Sequence, residues 1–225
     1  MKKTLMLVTV FCFLAFPVLN AQTNKGRILV GISSSVDLNN WGSDLLGLGF
    51  SSTKYVSTTG IVSEAYKTSF LNLIPKVGYF VIDNLAAGLD LTVSTYATKY
   101  NDNTKSTSTL LCIGPFVRYY VPVPLDKFKP FAELNTGIGI NNYKETRIPA
   151  SNTTEQKSGV FLFGLWAGMA MPLGDRVTFD GMLGYNHVTY GTKVTGETGG
   201  TSGKEKRKVG TVGVKLGFVV FFDKK

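Results

Sequence analysis

Cysteine and histidine are nearly absent from this 225-residue chain, which has two of the first and one of the second. Cys12 lies inside an N-terminal apolar run. Once that run is removed only Cys112 remains, so the fold cannot rest on an internal disulfide. No His/Cys cluster has metal-ligand spacing, and no Gly-rich loop precedes a helix to cradle a phosphate, so no cofactor is expected. Charged residues are few, at 17%, and helix-friendly charge patterns are scarce. Beyond residue 21 no segment approaches the ~20 continuous apolar residues of a transmembrane helix. The formal net charge is +9, but no compact Lys/Arg stripe is interleaved with aromatics, which argues against a nucleic-acid partner. At 44% hydrophobic, the chain is also too apolar to be disordered.

What is present begins with a targeting segment. Lys2 and Lys3 form a basic n-region, Leu5 to Leu19 an h-region, and Ala21 precedes a cleavage point. Residues 1–21 therefore read as a signal peptide and 22–225 as the mature domain. Thr9-Val10-Phe11 before Cys12 is not a lipoprotein box.

The mature part alternates with period two in eight stretches of roughly ten residues, divided by polar punctuation. They run over 26–35, 69–82, 85–98, 109–121, 130–141, 159–171, 177–188 and 209–222. The sixth is apolar on both faces, through Val160, Leu162 and Trp166. Short connectors (Asp83-Asn84, Pro122 to Lys129, Pro172 to Arg176) alternate with long polar ones at 36–66, 99–108, 142–158 and 189–208. That alternation predicts an all-β, eight-stranded antiparallel up-and-down transmembrane barrel, with short periplasmic turns and long extracellular loops.

The faces opposite the apolar rows carry glycines and six charges: Lys76, Asp90, Arg118, Glu133, Asp180 and Lys215. A Lys or Arg facing lipid near the midplane costs about 2–4 kcal/mol, whereas in a narrow lumen the charges can pair. A near-neutral interior network is expected, filling the lumen. Aromatics on the apolar faces form two bands: Tyr79, Tyr119, Phe179 and Phe222 at the short-turn end, and Phe161, Phe163 and Tyr185 at the other. Such bands mark membrane interfaces. A soluble carrier barrel would invert the two faces.

An eight-stranded barrel is just wide enough for side chains to fill. The leading expectation is a non-enzymatic, monomeric surface protein in the outer membrane of a Gram-negative bacterium, acting through its loops. The first loop carries Trp41, Leu45, Leu46, Leu48 and Phe50; the fourth carries Lys193, Lys204, Lys206, Arg207 and Lys208. The basic loop is expected to meet lipopolysaccharide phosphates, host surfaces or other envelope components. A narrow conduit for small hydrophobic molecules is the alternative. A lipid-modifying enzyme is a third, built on His187 with Thr189 nearby, but no serine nucleophile motif accompanies it. Asn152-Thr153-Thr154 matches a glycosylation sequon, which carries little meaning in a bacterial envelope.

Lys215-Leu216-Gly217-Phe218-Val219-Val220-Phe221-Phe222 resembles the C-terminal assembly signal of outer-membrane barrels, with Lys215, Gly217, Val220 and Phe222 as its marks. The resemblance implies recognition by the barrel-assembly machinery. The chain departs from the pattern by adding Asp223-Lys224-Lys225 after the last aromatic. Pro75-Lys76-Val77-Gly78-Tyr79-Phe80 with Asp83-Asn84-Leu85-Ala86-Ala87-Gly88 is similar to the outer-membrane β-barrel domain family, the OmpX/OmpW-like porin superfamily. So is Gly114-Pro115-Phe116-Val117-Arg118-Tyr119-Tyr120, followed by Pro130-Phe131-Ala132-Glu133. The resemblance extends over the mature chain and implies location and fold more than activity. The signal ending Asn20-Ala21-Gln22 is similar to those common in Bacteroidota.

Overall fold

In the computed structural model, residues 23–37, 48–56, 62–100, 104–123, 127–147, 152–194 and 203–223 are described. Residues 1–21, expected to be a signal peptide, and Trp41, Leu45 and Leu46 lie outside them. Strands make up nearly all of the described chain: β1 (Ile28–Asp37), β2 (Leu48–Val56), β3 (Val62–Ile82), β4 (Leu85–Lys99), β5 (Lys105–Tyr120), β6 (Lys129–Arg147), β7 (Asn152–Pro172), β8 (Val177–Val194) and β9 (Gly203–Phe222).

The sheet order is β1-β9-β8-β7-β6-β5-β4-β3-β2, and a further pairing of β1 with β3 closes the ring. Eight strands therefore form the expected closed antiparallel barrel, and β2 is additional. It sits in the stretch read from sequence as the first long loop. β1 covers β3 only from Ile28↔Tyr79 to Ser33↔Ile74, and β2 takes over the same edge from Leu48↔Leu71 upward. Asn72 Nδ2 donates to Ser35 Oγ (3.2 Å) where the first ladder stops. The remaining long connectors are shorter than polarity suggests, since β6 and β7 stay paired to Arg147↔Asn152 and β8 and β9 to Val194↔Gly203. Backbone pairing past the membrane needs no apolar pattern, because hydrogen bonds alone sustain a ladder already in register.

The turns follow local chemistry. Asn84 links β3 to β4 at φ 66°, a left-handed conformation that asparagine tolerates. Gly174, at φ 116°, bends the link between β7 and β8.

Strict alternation sorts the side chains. The apolar rows point outward, with Ile138 exposed by 68% and Leu183 by 55%, while their polar neighbours point inward. On β9 the outward row runs from Val212 to Phe222. That matches the ~9–11 residues a tilted strand needs to cross hydrocarbon. Tyr79, Tyr119, Phe222, Phe161, Phe163 and Tyr185 stand exposed on this surface, and Phe179 packs on Phe218 at 5.3 Å between ring centroids. The fold is a transmembrane β-barrel.

Candidate functional site

All six sequence-selected charges are buried in the lumen, supplied by β3, β4, β5, β6, β8 and β9. Four of them form a chain. Lys76 Nζ donates to both oxygens of Glu133 (2.6 and 2.7 Å). Arg118 donates to Glu133 Oε2 through Nε (2.8 Å) and Nη2 (2.6 Å), and through Nη1 to Asp180. Asp180 also accepts from Thr178 Oγ1 (2.8 Å). The other two are held differently. Asp90 accepts from Asn135 Nδ2 (3.1 Å), and Lys215 Nζ lies 3.8 Å from the centroid of the Trp166 ring. Neither has an oppositely charged side chain within salt-bridge distance among the described residues. Pairing offsets the desolvation that would otherwise make such burial prohibitive.

Aromatic side chains pack beside the charges, and the sequence reading missed them. Phe80, Tyr120, Phe131 and Phe221 pack together at the short-turn end, with ring centroids 5.4–6.5 Å apart. Arg118 lies over Phe131 at 4.1 Å and Lys76 over Phe116 at 4.8 Å. Parity could have found them, since each is an even number of residues from an interior charge on its own strand. Glycines make the room: a Cβ on Gly78 would lie 2.8 Å from the Phe116 ring, and one on Gly168 2.6 Å from Phe131.

Above the charges the lumen opens. A cavity of about 180 Å³ is lined by Asn72, Thr92, Asn135, Asn186 and Lys215, among others. A wider one of about 620 Å³ follows towards the outer end, with Tyr143, Gln156, Tyr190 and Arg207 in its wall. Asn72 Oδ1 and Asn186 Oδ1 accept no hydrogen bond among the described residues, so this lumen has unmet capacity for polar guests such as water. At the rim, Tyr143 donates to Glu145 (2.8 Å), and that bond first, then burial, pushes the phenol up from its ordinary pKa.

The basic segment read as a fourth loop is largely strand. Lys206, Arg207 and Lys208 belong to β9, and Lys193 is registered opposite Lys204. All three are exposed, and alternation divides them: Arg207 shares the inward parity of Lys215, Lys206 and Lys208 the outward parity, although Lys206 also borders the outer cavity beside Arg207. The four residues expected to mark a C-terminal assembly signal divide likewise. Lys215 and Gly217 face the lumen, while Val220 and Phe222 belong to the outward row. His187 is outward too, between Tyr185 OH (3.5 Å from Nδ1) and Thr189 Oγ1 (3.4 Å from Nε2). No carboxylate contacts it among the described residues.

Asp223, first residue of the extension, pairs with Arg27 just before β1 (2.5 Å) and approaches Arg176 before β8 (3.8 Å). It thus ties β9 across the β1–β9 seam. As an exposed pair it contributes about 1 kcal/mol or less. Asp223→Asn should lower the urea midpoint in detergent by no more than that. Ending the chain at Phe222 should cost no more still, because the terminal carboxylate then arises beside Arg27. A clearly larger loss on truncation would assign the extension's role to Lys224 and Lys225 instead.

No family model and no curated protein sequence matches the chain. Among solved structures, the fold is similar to the outer membrane protein OprG from Pseudomonas aeruginosa, at 15% identity and TM-score 0.45, covering 89% of this chain and 98% of that one. It is also similar to Neisserial surface protein A, at 14% identity and TM-score 0.41, covering 86% and 95%. The E. coli outer membrane protein W gives 12% identity and TM-score 0.43, covering 88% and 99%.

Proposed function

We propose that this outer-membrane barrel is a non-enzymatic envelope protein with a side-chain-filled lumen, acting through its outer end on lipopolysaccharide and other surface components. One observation carries this reading: Arg118 and Glu133 are fully buried in the middle of the lumen, with the aromatic layer of Phe80, Tyr120, Phe131 and Phe221 beneath them. A solute descending from the outer cavity meets a sealed floor. Lys206 and Lys208, exposed and of outward parity a few residues above the last apolar position, Val212, support contact with lipid phosphates there.

Two measurements test the reading. In planar bilayers the refolded protein should give no stable single-channel conductance. Cells lacking the segment 193–208 should admit more of a hydrophobic antibiotic than cells with the full barrel. Steady ion conductance, or unchanged permeability, would count against it.

A second reading is a narrow conduit for hydrophobic molecules. It is favoured by the apolar inner row of β7, where Val160 and Leu162 are buried on the lumen side, and by Ile74, Leu110 and Val188 around the inner cavity. Saturable uptake of a hydrophobic solute, lost on Leu162→Asp, would raise it above the first.

A further inference from the structure

Lys67, Lys99 and Lys105 are scattered in sequence, but strand register sets them in one line. Lys67 is directly opposite Lys99, and Lys99 is directly opposite Lys105. All three are exposed, Lys99 and Lys105 at the outer ends of β4 and β5 and Lys67 level with them on β3, with the parity of the outward apolar residues Val77, Leu89 and Ile113.

Directly opposed residues on neighbouring strands have Cβ atoms about 4.5–5.5 Å apart, and like charges so placed destabilise the sheet. Nothing among the described residues offsets this row. The neighbour beyond Lys105 on β6 is Thr146, and that beyond Lys67 on β2 is Ser52. Lys144, nearby on β6, has its own partner in Glu155 at 2.9 Å, whose carboxyl that hydrogen bond holds below the usual range. A row of three facing cations in a ladder is stable when an anion bridges it, and three ammonium groups at this spacing converge on one phosphate.

Position selects the source of that phosphate. Below the lysines runs a collar of Ser69, Thr95, Ala97, Thr107 and Thr109, and below that the apolar face with Leu73, Val93 and Leu111. A molecule meeting both layers has acyl chains against the barrel wall and phosphate at the height a snorkelling lysine reaches. β9, which bears Lys206 and Lys208, is three places from β4 and two from β3 in the eight-strand ring, so β1 separates the two basic rows.

We infer that Lys67, Lys99 and Lys105 form a phosphate clamp for a bisphosphorylated glycolipid of the outer leaflet, separate from the β8–β9 basic face. The assignment rests on the outer end facing that leaflet, as proposed above.

The test uses the chain from residue 22 refolded in detergent micelles, with diphosphoryl lipid A as probe and monophosphoryl lipid A and phosphatidylglycerol as controls. Binding is read by native mass spectrometry and folding by heat-modifiable gel mobility. Changing all three lysines to glutamine should weaken diphosphoryl lipid A binding about tenfold or more. Phosphatidylglycerol should compete poorly. Stability should change sign with lipid: the triple variant melts higher than wild type in plain micelles, where repulsion is relieved, and lower with lipid A, where the bridge is lost. A Lys206→Gln/Lys208→Gln variant should keep the binding of this wall. If the triple variant binds like wild type while Lys206→Gln/Lys208→Gln weakens binding, the clamp is overturned and the β8–β9 reading stands. If neither variant changes binding, both fall. Equal displacement by phosphatidylglycerol also overturns the clamp.

Discussion

Glu133→Gln should lower the unfolding free energy of the barrel by about 3–5 kcal/mol, the usual cost of leaving a buried charge without its partner. Among the described residues Glu133 is the only carboxylate joining Lys76 to Arg118 in the chain of ion pairs, and it is fully buried. With a neutral amide there, Lys76 and Arg118 remain as two desolvated cations facing Asp180 alone among their bonded partners. Removing one cation as well should restore much of the loss. Lys76→Met with Glu133→Gln leaves the Arg118–Asp180 pair balanced and replaces an ammonium stem with an apolar one of similar length. Urea unfolding in detergent, followed by gel mobility and tryptophan emission, gives both values. A single variant as stable as wild type would mean that water reaches the network freely, and the sealed lumen on which the proposed function rests would be wrong.

The second large effect concerns backbone rather than charge. A Cβ at Gly114 would fall 1.8 Å from the carbonyl oxygen of Thr136 and 2.5 Å from the Cα of Gly137. Both obstructing atoms are main chain in the paired strand, so no rotamer change relieves the clash. Gly114→Val should therefore exceed the ~1–3 kcal/mol typical of an overpacked core. The β5–β6 ladder must part at that level. The expected result is loss of the compact, fast-migrating folded species on unheated gels. Gly159→Val is the control, since a Cβ there meets only Gly191 O at 3.9 Å and the residue faces outward. If both variants fold alike, close strand approach at Gly114 is not what the barrel requires.

Much of this architecture was legible because period-two alternation is a direct consequence of strand geometry. Ile28, Val77, Leu89, Leu111, Ile138, Leu165, Leu183 and Phe218 could only share an outward face if each strand was extended and paired. The six interior charges were visible for the same reason, each an odd number of residues from its strand's apolar row. Strand length was less legible. β2 and the outer parts of β6 to β9 carry polar residues on both faces, and there hydropathy has no period to show. The basic cluster misled on one point, since sequence proximity grouped Arg207 with Lys206 and Lys208 although the strand turns it the other way.

Sequence alone determined which residues meet hydrocarbon and which are enclosed, because one-residue alternation admits a single face allocation once strands form. Partnership was decided by tertiary structure. That Glu133 takes both Lys76 and Arg118 while Lys215 lies on Trp166, and that three distant lysines stand in a row, depends on stagger between neighbouring strands. Stagger is set by closure of the whole ring, and no local stretch of chain encodes it.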